Sequence, residues 1–167
     1  KYLEATTTFQ QNVHRGIGLG GYFGGIKEQM VFPRITGDLN SPFNGKIFPY
    51  VVLANTNFEW NTSAKVDGGL VYKFVDNTEL KYFGVLEHNT TPGSQNYYTS
   101  YRDDYYDDTN GTPNPNPLPA RGSWKGVFIY NPSTVSFAYS TVKWADQGLV
   151  IFQSTASREQ ERPDLPD

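Results

Sequence analysis

The chain has 167 residues, a net charge of -3 and no cysteine. Disulfides, thiolate metal sites and a cysteine nucleophile are therefore excluded, and no basic surface is available to neutralise nucleic-acid phosphates. With 16% aromatic residues, 16 Gly and 11 Pro spread along the chain, the composition favours short strands joined by turns over long helices.

The length suits one domain with a sizeable core. We place it at residues 1–154, followed by a polar tail at 155–167 that is charged, has two prolines and carries almost no apolar residues. No apolar run approaches the roughly 20 residues of a membrane helix, and no secretory leader is read. The missing Cys fits the cytosol or a prokaryotic exterior, so cytoplasmic and secreted locations both stay open.

In chain order, residues 4–13 read as an opening β-branched strand. Residues 16–25 hold six glycines. A phosphate loop would need a helix next, but residues 26–32 are strand-like, so a loop or glycine-rich bulge is the expectation. Residues 46–53 form an apolar strand in which Pro49 must sit at an edge or bulge. Residues 55–63 read as a loop.

Residues 69–89 are the clearest stretch. Leu70, Tyr72 and Phe74 alternate with Val71, Lys73 and Val75. Asp76-Asn77 then supplies turn chemistry, because both side chains tolerate positive φ. Leu80, Tyr82 and Val85 continue an apolar face. The pattern predicts a hairpin whose exit, His88-Asn89, touches a ligand. Residues 96–106 are rich in Tyr, and 107–118 are loop-like. Strands follow at 124–130, at 135–140 with clear alternation, and at 149–152. No helical periodicity and no internal repeat stand out. The fold class expected is all-β: a two-sheet antiparallel β-sandwich with little helix.

Catalytic signatures are weak. The two histidines, His14 and His88, lie in no nucleophile elbow and no metal-ligand spacing. Asp103, Asp104, Asp107 and Asp108 cluster, but without the ordered loop of a calcium site. Nothing places two carboxylates across a cleft for glycoside hydrolysis. We therefore read a non-enzyme with no metal and no cofactor. Loop aromatics and planar polar groups point instead to sugars, which present flat apolar faces edged with hydroxyls. Tyr98, Trp124, Asn89, Asp103 and Arg121 are of the right types.

The start Gln10-Gln11-Asn12-Val13-His14-Arg15-Gly16, then Tyr22-Phe23, Ile26, Glu28, Val31 and Phe32, resembles the first strands of the fungal fruit-body lectins. Gly69 to Phe74, a polar turn, Gly84-Val85 and His88-Asn89 extend the resemblance, with Leu86-Glu87 as an insertion. Tyr139 to Val142 and Val150 to Phe152 fit the last two strands of that family. The resemblance implies an actinoporin-like sandwich that binds Gal/GalNAc-type glycans through Asn89, with Asp67 and Gly68 beside it. It also implies a second GlcNAc site, for which Asp103 and Arg121 are the nearest matches.

The same fold is similar to that of the actinoporins, which implies an alternative: a pore-former that binds membrane headgroups through the Tyr cluster. A third reading is a structural or adhesive subunit of a surface filament or virion, fitted by the Asn/Gly/Thr/Tyr-rich strands and the sequons at Asn61, Asn89 and Asn110. The partners expected are glycans, or a membrane reached only through glycans or headgroups. A homo-oligomer is expected because multivalent display turns weak sites into avidity.

Overall fold

The computed structural model describes residues 17–23, 29–32, 49–59, 62–103, 105, 118–130 and 135–152. Eleven strands run along them: β1 (Ile17–Phe23), β2 (Gln29–Phe32), β3 (Tyr50–Phe58), β4 (Ser63–Asp67), β5 (Val71–Phe74), β6 (Glu79–Tyr82), β7 (Val85–Asn89), β8 (Asn96–Ser100), β9 (Gly126–Ile129), β10 (Ser140–Val142) and β11 (Leu149–Ile151). The all-β expectation holds, and no described helix is long and apolar enough to cross a membrane. The antiparallel sandwich does not hold. Every strand pair is parallel.

The registers explain how. Phe58 pairs with Tyr82, Tyr82 with Ile129, and Ile129 with Ile151. Phe32 pairs with Val66 and Val66 with His88, and Leu86 bridges to Val135. Tyr50 pairs with Tyr72, Tyr72 with Tyr98, and Tyr98 with Val142. Each series lies on its own face and visits the faces in the same order. The chain therefore winds as a three-faced prism, a parallel β-solenoid in which each coil rests on the one before. Parallel neighbours need a long crossover; here the other two faces of the coil provide it. β3 is long enough to bend around one corner. Its first half pairs with β5 and its second half with β6, while Leu53, Ala54 and Asn55 protrude between them. That corner joins two faces into one eight-stranded sheet, and β2-β4-β7 form the third face.

The predicted hairpin is thus corrected. β5 and β6 are consecutive in sequence but lie on different faces and do not pair. The turn chemistry between them is real: Asn77 has φ 62°, its N–H donates to the Ser123 carbonyl, and Thr78 Oγ1 donates to the Val75 carbonyl at 2.6 Å. The turn rounds a corner where a hairpin would reverse the chain. Several strand bounds also shift. The glycine-rich stretch is β1, with Gly21 at φ 103° beside a register shift. β3 runs on to Phe58, into the expected loop, and Pro49 precedes it. Between Val135 and Ser140 only a bridge and the start of β10 are ordered as β-structure. The strand read at 4–13 and the tail at 155–167 lie outside the described residues.

The core fills the prism with stacked rings. Tyr72 lies 4.8 Å from Tyr98 at 1° and 5.4 Å from Tyr50 at 22°. Phe58 lies 4.9 Å from Tyr82 at 12°. These separations match the strand spacing of about 4.8 Å, so in-register aromatics stack without adjustment. Each such pair contributes about 0.5–1.5 kcal/mol beyond area burial. The corners are tight. A Cβ on Gly84 would stand 2.1 Å from the Thr62 carbonyl oxygen and 2.4 Å from that of Glu59, so only glycine fits where these coils cross.

Candidate functional site

The residues singled out in the sequence divide into three groups. Asp67 and Asn89 are register partners on β4 and β7; Asn89 is exposed, while Asp67 is half-buried. Burial raises the phenols of the nearby Tyr50 and Tyr72, and the charge of Asp67 adds to the rise. Gly68 follows directly, packed so closely that an added Cβ would lie 2.6 Å from the Asn89 carbonyl oxygen. The structure brings these three together at one edge of the prism. The reason for the glycine is this contact between coils.

His88, Tyr98 and Trp124 belong to the interior, where they offer no face to a sugar. His88 Nε2 lies 2.9 Å from the Tyr98 hydroxyl and Nδ1 lies 3.3 Å from Ser140 Oγ; its ring packs 4.8 Å from Phe137. Burial pushes the imidazole down to about 4, because charging it in the core forfeits hydration. Burial likewise raises the phenol of Tyr98. Trp124 stacks on Phe74 at 3.8 Å, and its Nε1 donates to the Lys143 carbonyl at 2.8 Å. Alternation explains the misplacement: His88 and Tyr98 fall on the inward register of their strands. Arg121 is exposed in the turn between Ala120 and Ser123.

Asp103 is the predicted residue that organises a site. β8 and β10 are parallel neighbours, with Tyr98 opposite Val142. The chain therefore leaves both strands at the same corner, and Asp103 and Trp144 meet there. Asp103 is 6% exposed, and its carboxylate is fully used. Oδ2 accepts from Thr99 Oγ1 at 2.5 Å and from Trp144 Nε1 at 3.1 Å, and Oδ1 accepts from the Tyr105 N–H at 3.2 Å.

What this carboxylate holds in place lies outside. Trp144 is 40% exposed and Tyr105 is 83% exposed. Lys143 Nζ stands 5.4 Å from the Tyr105 ring centroid, and Arg102 pairs with Asp76 nearby. The backbone is clamped on both sides of the indole. Lys143 N–H donates to Tyr98, Ser123 N–H donates to the Trp144 carbonyl, and Asp146 N–H donates to Trp124.

Trp144 also has φ 62°, a left-handed conformation that costs a bulky residue on the order of 1–3 kcal/mol and persists only where the surroundings over-determine it. The outcome is an exposed indole, oriented before any ligand arrives, with the Tyr105 backbone held by the same carboxylate. Trp144 is not among the sequence candidates, and Tyr105 is there only as a member of the Tyr-rich stretch at 96–106. The available signal was a Trp set between Lys143 and Asp146, at a point where an apolar strand had already ended. Among the described residues no group of three or more His, Cys, Asp or Glu could hold a metal ion. No family model matches the chain, nor does any curated protein or solved structure.

Proposed function

We propose that this solenoid is a non-catalytic glycan-binding module that takes a sugar on the platform of Trp144 and Tyr105. The observation that carries the reading is the exposed indole of Trp144, fixed by a buried carboxylate. A pyranose packs its C–H face on an electron-rich ring, and a ring already held in position costs little entropy to engage. Lys143 adjoins Trp144 in the chain and its ammonium lies over the Tyr105 ring; both residues are of types that hydrogen-bond sugar hydroxyls. Asp103 acts through Trp144 as a positioning residue, because its oxygens are spent on Thr99, Trp144 and Tyr105.

The site differs from the Asn89 edge that the lectin resemblance implies, and the two readings separate by mutation. On an array of Gal-, GalNAc- and GlcNAc-terminated glycans, Trp144→Ala abolishes the signal while Asn89→Ala leaves it. The opposite pattern returns the site to Asn89, and a blank array for the unaltered chain removes glycan binding altogether.

A further inference from the structure

The two ends of the prism differ. In the first coil the inward-facing Leu19 and Phe32 are buried. In the last coil the inward positions of β11 lie open, while Val135 and Val142 on the other faces are half-buried against the core. Thr56, Leu80 and Val127 form one column and are each 0% exposed, whereas Leu149, the next member, is 38% exposed. Phe58, Tyr82 and Ile129 form another at 2%, 1% and 1%, yet Ile151 is 52% exposed. Beside them runs a ring ladder: Phe83 on Tyr130 at 4.3 Å, then Tyr130 on Phe152 at 4.5 Å. Phe152 ends it, also exposed. β11 is the last strand in its sheet order, paired through β9. Among the described residues no strand pairs with its outer edge, a row of backbone donors and acceptors next to an apolar floor, a surface that proteins normally cover.

Residues 153–167 contain Ala156 and Leu165 as their only carbon-rich side chains apart from Pro163 and Pro166. That composition lacks the alternating apolar positions a further coil of this prism needs. A second copy has what is needed, a matching open end, whereas the inward Leu19 and Phe32 of its first coil are buried. Two such ends close on each other by two-fold symmetry and leave nothing to propagate. We infer that the chain forms a closed two-fold dimer through the end made by β11, with Leu149, Ile151 and Phe152 at its centre.

Sedimentation velocity across the micromolar range tests this on the full chain. The unaltered protein sediments as a dimer that dissociates on dilution. Ile151→Asp and Leu149→Asp each sediment as monomer at the same concentrations, with an unchanged far-UV circular dichroism spectrum. A more conservative variant, Ile151→Thr, weakens the dimer and guards against loss of the fold. A wild-type monomer at the highest concentration overturns the inference. So does an open-ended polymer, or a dimer indifferent to all three substitutions.

Discussion

Titration of His88 offers a sharp test of the core. Its imidazole titrates near 4 in the folded chain against an ordinary value of 6.5. Between those limits the unfolded chain binds a proton that the folded chain refuses. The contribution of the neutral ring is therefore fully present above pH 6.5, falls as pH drops through the window, and levels off below about 4. At 1.36 kcal/mol for each unit of displacement, the full loss is of order 3 kcal/mol.

The geometry supports a figure of that size. The ring is buried between Phe137 and Tyr98, and both its nitrogens face hydroxyls. Urea unfolding at a series of pH values from 7.5 to 4 measures the slope. His88→Leu strands the Tyr98 hydroxyl and costs about 1–3 kcal/mol at neutral pH, but its stability declines less with acid than that of the unaltered protein. Carboxylates common to both proteins cancel in the comparison. Equal slopes for the two would refute the placement of His88 in the core.

Other consequences follow from the same packing. Tyr72 buries a hydroxyl that has no partner, so Tyr72→Phe raises stability by about 1 kcal/mol in chemical denaturation, whereas Tyr98→Phe lowers it by a similar amount through loss of the His88 bond. Gly84→Ala forces a methyl into the Thr62 and Glu59 carbonyls and costs about 3 kcal/mol or more, visible as a drop in thermal midpoint. Asp103→Asn keeps the size of the side chain but weakens the acceptor for Trp144 Nε1. It loosens the indole, read as a change in Trp fluorescence anisotropy, and lowers glycan affinity with little change in stability.

Much of the strand content was legible, and the reason is specific. Period-two alternation reports which side chains face inward, so Leu70, Tyr72, Phe74, Leu80 and Tyr82 are all in the core as read. Alternation is silent on strand direction. An Asp-Asn turn between two apolar runs looks the same whether the chain doubles back or rounds a corner, and here it rounds one. The coil repeat is hidden because β2 and β3, and β8 and β9, lie far apart in the sequence, which interrupts the spacing of otherwise matching positions, and because stacked partners need only be apolar: Phe58, Tyr82, Ile129 and Ile151 share a column without sharing an identity.

The site was partly legible for a related reason. Asp103 drew notice as a carboxylate in a Tyr-rich stretch. Trp124 opens the strand read at 124–130, whereas Trp144 falls beyond the strand read at 135–140, and only the parallel pairing of β8 with β10 sets Trp144 beside Asp103. Asn96, a planar polar group of a type that suits a sugar site, is fully buried instead, and its Oδ1 accepts the Leu70 N–H at 2.8 Å. The sandwich implied by the lectin and actinoporin resemblances is not the fold found.

Calorimetric titration of the strongest array glycan into the unaltered protein and into Trp144→Ala decides whether the pinned, exposed indole binds the proposed sugar. The variant is expected to lose at least about tenfold in affinity, equivalent to 1.4 kcal/mol, with an unchanged unfolding midpoint. Equal affinity in the two proteins would mean that the indole takes no part in binding.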